Sequence, residues 1–325
     1  MATAQPRTLL EAVKYFSDKD VALQFVAALK WPDGVTCPSC ESKKVGFLKT
    51  RRLWKCRDCA KQFSAKVGTI FEDSPIGLEK WMPAMWLIVN CKNGISSYEL
   101  ARDLGVTQKT AWFMLHRIRA AMQSNTFRKM KGEVEVDETF IGGKARFMHQ
   151  GRRERIFRGK SHHFGKVAVQ GLLERRGEKG HSEVHVEVVD NVRRFKLQGN
   201  IRKHVNMDGT ATVYTDALKS YTQTAKWGPT DLYVHKVIDH AEAYVDGQIH
   251  TNGMENFWSL LKRGLRGTYV SVEPFHLFRY LDEQMYRFNN RKDSDFGRFI
   301  GAVKSVVNRR LTYVALTGKE LPQTC

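Results

Sequence analysis

Two sets of side chains have the types and spacing to do chemistry. The first is Cys37, Cys40, Cys56 and Cys59, arranged as Cys-x2-Cys-x15-Cys-x2-Cys. That spacing predicts a closed four-cysteine site for one Zn2+. Each Cys-x2-Cys turn sets two thiolates on one side of the metal, and two such turns complete a tetrahedron. Four protein ligands leave no place for a reacting water, so the ion would be structural. About forty residues have little core of their own, and metal binding must then supply much of their folding energy. Thr36, Lys43, Lys44, Lys49, Arg51, Arg52, Lys55 and Arg57 surround the knuckles, which suits contact with a polyanion. Cys91, in the apolar run WMPAMWLIVNC, reads as a core thiol, and Cys325 stands alone.

The second set is acidic. Asp137 interrupts the alternating strand VEVDETF, where a carboxylate is costly to bury unless it is paired or metal-bound. Asp216 ends the apolar strand VYTD just before a helix, a place that opens onto the crevice of a sheet. As an alternative it could be that helix's N-cap. Glu255 lies on the helix of HTNGMENFWSLLKRGLRG, with Lys262 two turns on along the same face. Three carboxylates from separated segments can converge on two Mg2+ ions. Such a pair stabilises both the attacking and the leaving oxygen of an in-line displacement at phosphorus. Asn252 precedes Gly253 and is expected as a cap, with a second possibility that it replaces Glu255 as the third ligand.

These groups must be held by recognisable elements. Residues 1–32 read as a helical segment of one or two short helices, with Ser17 or Asp18 as a cap, and residues 33–72 as the ribbon. Residues 78–130 read as helical. Within them, NGISSYELARDLGVTQKTAWFMLHRIRAA has Ser96 or Ser97 capping one helix, Gly105 at a turn and Thr107 capping a second. This predicts a helix-turn-helix DNA-binding domain with Gln108, Lys109 and Thr110 turned toward DNA. From 131 to 295 the pattern becomes α/β, with strands in VEVDETFIGG, KVAVQGLLER, SEVHVEVVD, ATVYTD and DLYVHKVI. A helix over 273–290 is expected to pack back on that sheet. Residues 296–325 read as a C-terminal tail. The loop KARFMHQGRRERIFRGK, residues 144–160, holds Arg152 and Arg153 among seven basic residues against one acidic, and reads as phosphate-seeking.

Fifty-three basic and 34 acidic residues leave a formal charge of +19, a field that draws polyanions and nucleic acid above all. The N-terminus lacks the apolar stretch of a secretory signal, and no window approaches the apolar length of a membrane span. A soluble intracellular protein is expected.

The motifs VDETFIGGK, YTD and HTNGMENFWSLLKRGLRGTY resemble the DDE transposases of bacterial insertion sequences that carry an N-terminal zinc ribbon, relatives of the Merlin transposases. The resemblance runs from the cysteine pairs to about Asn290. It implies a ribonuclease-H-like catalytic domain, a mixed sheet flanked by helices, behind the ribbon and the helix-turn-helix domain. It further implies two catalytic Mg2+ (or Mn2+) ions, strand cleavage and strand transfer at the element's terminal inverted repeats, and a homo-oligomer on double-stranded DNA in the nucleoid-associated cytoplasm. By this match Asp137, Asp216 and Glu255 form the acidic triad, Lys262 holds DNA near the cut, and Arg263 lies beside it. Some members use Asn or His at the third position, and Asn252 and His250 stand nearby. Two other readings use the same features: a related nuclease on the same fold, and a domesticated regulator that binds DNA without cutting it.

Overall fold

The computed structural model describes residues 5–123, 128–143, 149–151, 154, 165–177, 179–216, 218, 220–221, 232–238 and 250–318. Contacts divide the chain into two units. One comprises 1–123 together with 290–325, and the other 124–289.

In the first unit, α1 (Leu9–Phe16) and α2 (Lys19–Lys30) are capped by the side chains of Thr8 and Asp18. Three short antiparallel strands follow in the order β1 (Val45–Leu48), β2 (Leu53–Cys56) and β3 (Gln62–Phe63). Their small core is aromatic: the Trp54 ring lies 5.0 Å from Phe47, 5.4 Å from Trp31 and 6.3 Å from Phe63. The stretch expected to be helical over 78–130 is three helices, α3 (Leu78–Asn90), α4 (Ser97–Leu104) and α5 (Gln108–Met122). It ends earlier than expected, because Met130 already pairs with Val205 in the second unit. Ser96 caps α4 through the Glu99 N–H, Gly105 closes it at φ 59°, and Thr107 caps α5 through the Thr110 N–H. Gly105 sits in the left-handed region, which glycine enters without a Cβ penalty.

The segment expected as a tail is instead part of this unit's core. Helix α9 (Asp295–Lys304) packs on α3, and Phe299 is fully buried among Phe16, Phe25 and Trp86. A short α10 (Tyr313–Thr317) follows. Arg117 of α5 holds the same region together by donating to the carbonyls of Ile70, Glu72 and Leu311.

The second unit is built on a mixed five-stranded sheet. Its strands are β4 (Glu133–Ile141), β5 (Val167–Glu174), β6 (Glu183–Val189), β7 (Thr212–Asp216) and β8 (Val234–Ile238), in spatial order β6-β5-β4-β7-β8. β4, β5 and β6 are antiparallel; β7 and β8 run parallel to β4. One face carries α6 (Arg194–His204), whose Leu197 and Ile201 meet Val134, Val136, Ala168 and Leu172. The other carries α7 (Asn252–Gly264) and α8 (Leu277–Asn289). Their Phe257, Trp258, Leu261 and Leu281 meet Val169, Leu173, Val184 and Val186. Burial on both faces explains why β5 reads as a nearly continuous apolar run. Helix α8 packs on β6 as expected. Most of the helix expected just after Asp216, in the stretch ALKSYTQTA, lies outside the described residues. Among the described residues, no helix is long and apolar enough to cross a membrane.

Candidate active site

The zinc knuckles come together as their spacing requires. The sulfurs of Cys37, Cys40, Cys56 and Cys59 all lie within 4.8 Å of one another, with Cys37–Cys59 and Cys40–Cys56 at 3.6 Å. Zinc–sulfur bonds of about 2.3 Å imply tetrahedral edges of roughly 3.8 Å, so this is a structural zinc site. Backbone N–H groups of Cys59 and Asp58 hold the Cys56 thiol down to about 7, burial opposing them. The Ser42 N–H favours the Cys40 thiolate, yet Cys59, burial, Cys56 and Cys37 together push that thiol up to about 12. A cation among the four sulfurs removes that conflict. Of the basic residues around the knuckles, Lys43, Lys49, Arg51, Lys55 and Arg57 are exposed. Arg52 is paired with Asp20 at 2.6 Å, and Lys44 lies 3.7 Å from Asp58.

The carboxylates are positioned by the sheet. β4 and β7 run parallel with Glu135 opposite Tyr214. Two residues further along each strand come Asp137, in the middle of β4, and Asp216, the last residue of β7. Asp137 is fixed on both oxygens. Trp258 Nε1 donates to Oδ2 at 2.9 Å, and the Glu138 N–H donates to Oδ1 at 2.9 Å. Burial raises the Asp137 carboxyl to about 6 against the Trp258 hydrogen bond, and the charges of Asp216 and Glu255 add to the rise. Asp216 Oδ1 accepts from the Leu218 N–H at 3.1 Å, so it also closes the turn after β7. Lys262 is half-buried beneath the same group. Burial and Arg266 lower its ammonium, Asp137 opposes them, and Lys166 adds to the lowering. Asp216, Glu255 and Lys262 therefore all lie close enough to Asp137 for their charges to bear on one another, and Arg263, next in the chain, is exposed.

A fourth acid joins them. Glu138 lies on the opposite face of β4 from Asp137, where Tyr221 Oη donates to its Oε2 at 2.6 Å. Burial raises its carboxyl to about 7 against that bond, with Asp216 and Asp137 contributing. Strand alternation assigns Glu138 to the other side of the sheet, which is why pattern reading passes over it. The charges of Asp137 and Asp216 nevertheless bear on it.

Helix α7 is fastened to β4 by two hydrogen bonds. Glu135, 1% exposed, accepts from the Met254 N–H at 3.0 Å, one turn before the Trp258–Asp137 bond. Glu135 is in turn held by Arg175 Nε at 2.8 Å. Gly171 lies directly across from Asp137 on β5, and a Cβ there would overlap Met254 Cε and approach Trp258 Cζ2 to 2.7 Å. Its missing side chain lets Trp258 reach Asp137.

The expectation that Asn252 caps this helix is not met. The N-cap residue is Thr251 without a side-chain bond, Glu135 satisfies the Met254 donor, and Asn252 Oδ1 is buried with no hydrogen-bond partner among the described residues. The expected DNA-facing turn of α5 is only partly open. Lys109 is exposed, Gln108 Nε2 is tied to Ser97 Oγ at 2.8 Å, and Thr110 Oγ1 lies 2.8 Å from Thr107 Oγ1. The rest of α5 is largely buried, Arg119 included. Arg152 and Arg153 lie outside the described residues.

Comparison with known proteins matches two segments of the chain, one within each unit. Residues 17–62 match a transposase zinc-ribbon domain and residues 129–289 an ISXO2-like transposase domain. A relative from Halobacterium salinarum, described as an uncharacterized protein in transposable element ISH50, is 28% identical over 261 residues, covering 78% of this chain and 85% of its own. With ribbon and transposase module joined in this order in one chain, the protein belongs to the zinc-ribbon DDE transposases of the IS1595 group.

Proposed function

We propose that the second unit is a ribonuclease-H-like catalytic domain that cleaves DNA strands at the terminal inverted repeats of its element and transfers them to target DNA. The observation that carries this reading is that the charges of Asp216 and Glu255 bear on the buried Asp137, and that of Asp137 on Lys262. The strand order, three antiparallel strands followed by two parallel ones, supports the fold assignment.

The donor set is oxygen-only and strongly acidic, which suits Mg2+ or Mn2+. Asp137, Asp216 and Glu255 would hold two such ions, with Glu138 as a further carboxylate in reach. Such ions would supply activation of the attacking hydroxyl and charge stabilisation at the leaving oxygen. The protein's own contribution is positional. Trp258 and the Glu138 N–H orient Asp137, and the Glu135–Met254 bond sets the height of α7 and so of Glu255. Lys262 and Arg263 draw the phosphate backbone to the same site. Attack of water on phosphorus frees a 3′ hydroxyl, which then attacks a phosphodiester of the target and releases that strand's own 3′ oxygen. The ribbon's exposed lysines and arginines and the α5 turn at Lys109 supply further phosphate contacts, and Gln108 and Thr110 steady that turn. The reading includes Arg152 and Arg153 as DNA contacts, a homo-oligomer on double-stranded DNA, and a nucleoid-associated cytoplasmic protein.

A second assignment of the third ligand is favoured by the unpartnered, buried Oδ1 of Asn252. Glu255→Gln and Asn252→Ala separate the two in a strand-cleavage assay on a DNA end. Cleavage should fall by orders of magnitude in Glu255→Gln with DNA binding retained. Normal cutting by Glu255→Gln with a dead Asn252→Ala would transfer the ligand role to the amide.

A further inference from the structure

Away from the acidic site, on the α6 face of the sheet, two imidazoles and a carboxylate converge. His185 and Glu187 are two residues apart on the edge strand β6, so their side chains leave the same face. They pair with Leu172 and Gln170 of β5, which look toward α6. His204 is the last residue of α6 and is nearly fully buried. His185 Nε2 lies 3.7 Å and His204 Nε2 3.6 Å from the same atom, Glu187 Oε2. The two rings stand 4.0 Å apart, and one ligand atom from each of the three residues falls within 4.8 Å of the others.

These separations exceed the 2.7–3.2 Å of an ordinary hydrogen bond. They lie at or within about 0.1 Å above the spacing of two ligands on one ion, since zinc–nitrogen and zinc–oxygen bonds of about 2.0–2.2 Å give tetrahedral edges of roughly 3.3–3.6 Å. The scaffold is rigid on both sides. β6 is paired along its length with β5, and the His204 carbonyl accepts from the Met130 N–H at 2.7 Å. Lys203 Nζ also reaches Glu187 Oε2, at 3.5 Å, but its side chain is 64% exposed and free to swing into solvent.

We propose that His185, Glu187 and His204 form a second site for a zinc-class divalent ion, which pins the end of α6 to the edge of the sheet. The site differs in kind from both others. Imidazole selects transition metals over Mg2+, in contrast to the oxygen-only acids around Asp137 two strands away, and the site contains no thiolate. Three protein ligands leave the fourth position to water. The inference is independent of the catalytic reading, because neither Asp137 nor its partners contribute.

Metal content of the tag-free full chain tests it. Protein equilibrated with zinc in millimolar magnesium, which occupies the acidic site, is desalted and assayed. Two equivalents are expected: one in the ribbon and one here. Glu187→Gln and His204→Gln should each retain one, with unchanged circular dichroism. Lys203→Ala removes the competing cation and leaves the fold untouched, so it should keep both equivalents and hold the second more tightly. Cobalt loading gives an independent reading. A thiolate spectrum from the first equivalent should be joined by shorter-wavelength bands from the second, and these should be absent in Glu187→Gln. A parent that keeps only one equivalent, a Glu187→Gln variant that keeps two, or a Lys203→Ala variant that binds no more tightly would overturn the assignment.

Discussion

Glu135 touches no substrate in the proposed mechanism, yet its removal should be costly for both stability and cutting. Glu135→Ala breaks a buried ion pair and strips α7 of the acceptor for its Met254 N–H. Breaking such a pair costs about 3–5 kcal/mol when the partner is left alone. Arg175 is not left alone. It still donates to the His250 carbonyl at 2.9 Å, lies 3.5 Å from Glu133, and stacks 4.2 Å from the Tyr214 ring. The pair therefore contributes near the lower end, about 3 kcal/mol, and the orphaned N–H adds about 1 kcal/mol. Glu135→Gln keeps one acceptor oxygen in place and should cost only about 1–2 kcal/mol. Native-state hydrogen exchange on peptides from β4, β5 and α7 reads this unit separately from the other. A strand-cleavage assay with a parallel DNA-binding titration reads the consequence. Because Glu255 and Trp258 ride on α7, a displacement near 1 Å should slow cleavage by on the order of 100-fold with DNA affinity unchanged. If Glu135→Ala lies within about 1 kcal/mol of the parent, or α7 protection is unaltered, the clamp does not position the helix.

Asp137→Asn should change the pH dependence of stability in metal-free protein. Burial, joined by Asp216 and Glu255, raises this carboxyl from its ordinary 3.8 to about 6, so it favours folding only while protonated. That advantage is complete below about pH 4 and is lost as pH rises through about 6. Between pH 4 and 7.5 the parent should lose about 2.4 kcal/mol relative to the variant, and millimolar Mg2+ should restore it. A difference independent of pH in hydrogen exchange of β4 refutes this. Gly171→Ala should displace Met254 and Trp258 and cost about 1–3 kcal/mol, with slower cleavage, by the same two assays. A variant as stable and active as the parent would mean that Trp258 does not depend on that space. Cys56→Ser should release the ribbon zinc and unfold β1–β3, while exchange protection in β4 and β5 stays unchanged. Metal analysis and exchange on the same sample check it, and retained zinc would count against the closed site.

What the sequence determined by itself is what depends on neighbours along the chain. The zinc site is legible because its two knuckles each need only four residues. Ser96, Gly105 and Thr107 mark the limits of α4 and α5 through bonds reaching three or four positions. The alternation in β4 gives the faces of Glu135 and Asp137, and the seven-residue step from Glu255 to Lys262 gives a shared helical face. Tertiary structure alone decided what each face would meet. Glu135 and Asp137 are chemically alike and two residues apart. One caps a helix 119 residues downstream, and the other is bound by an indole 121 residues downstream. No local pattern separates these fates, because they depend on where α7 lands. The same holds for Asn252, denied its expected cap by Glu135, and for Gln108, drawn back to Ser97. It holds again for α9, whose Phe299 is read as a tail residue until the pocket formed by Phe16, Phe25 and Trp86 exists to receive it. Periodicity records that a side chain will be buried; the partner that buries it is supplied by the packing of distant elements.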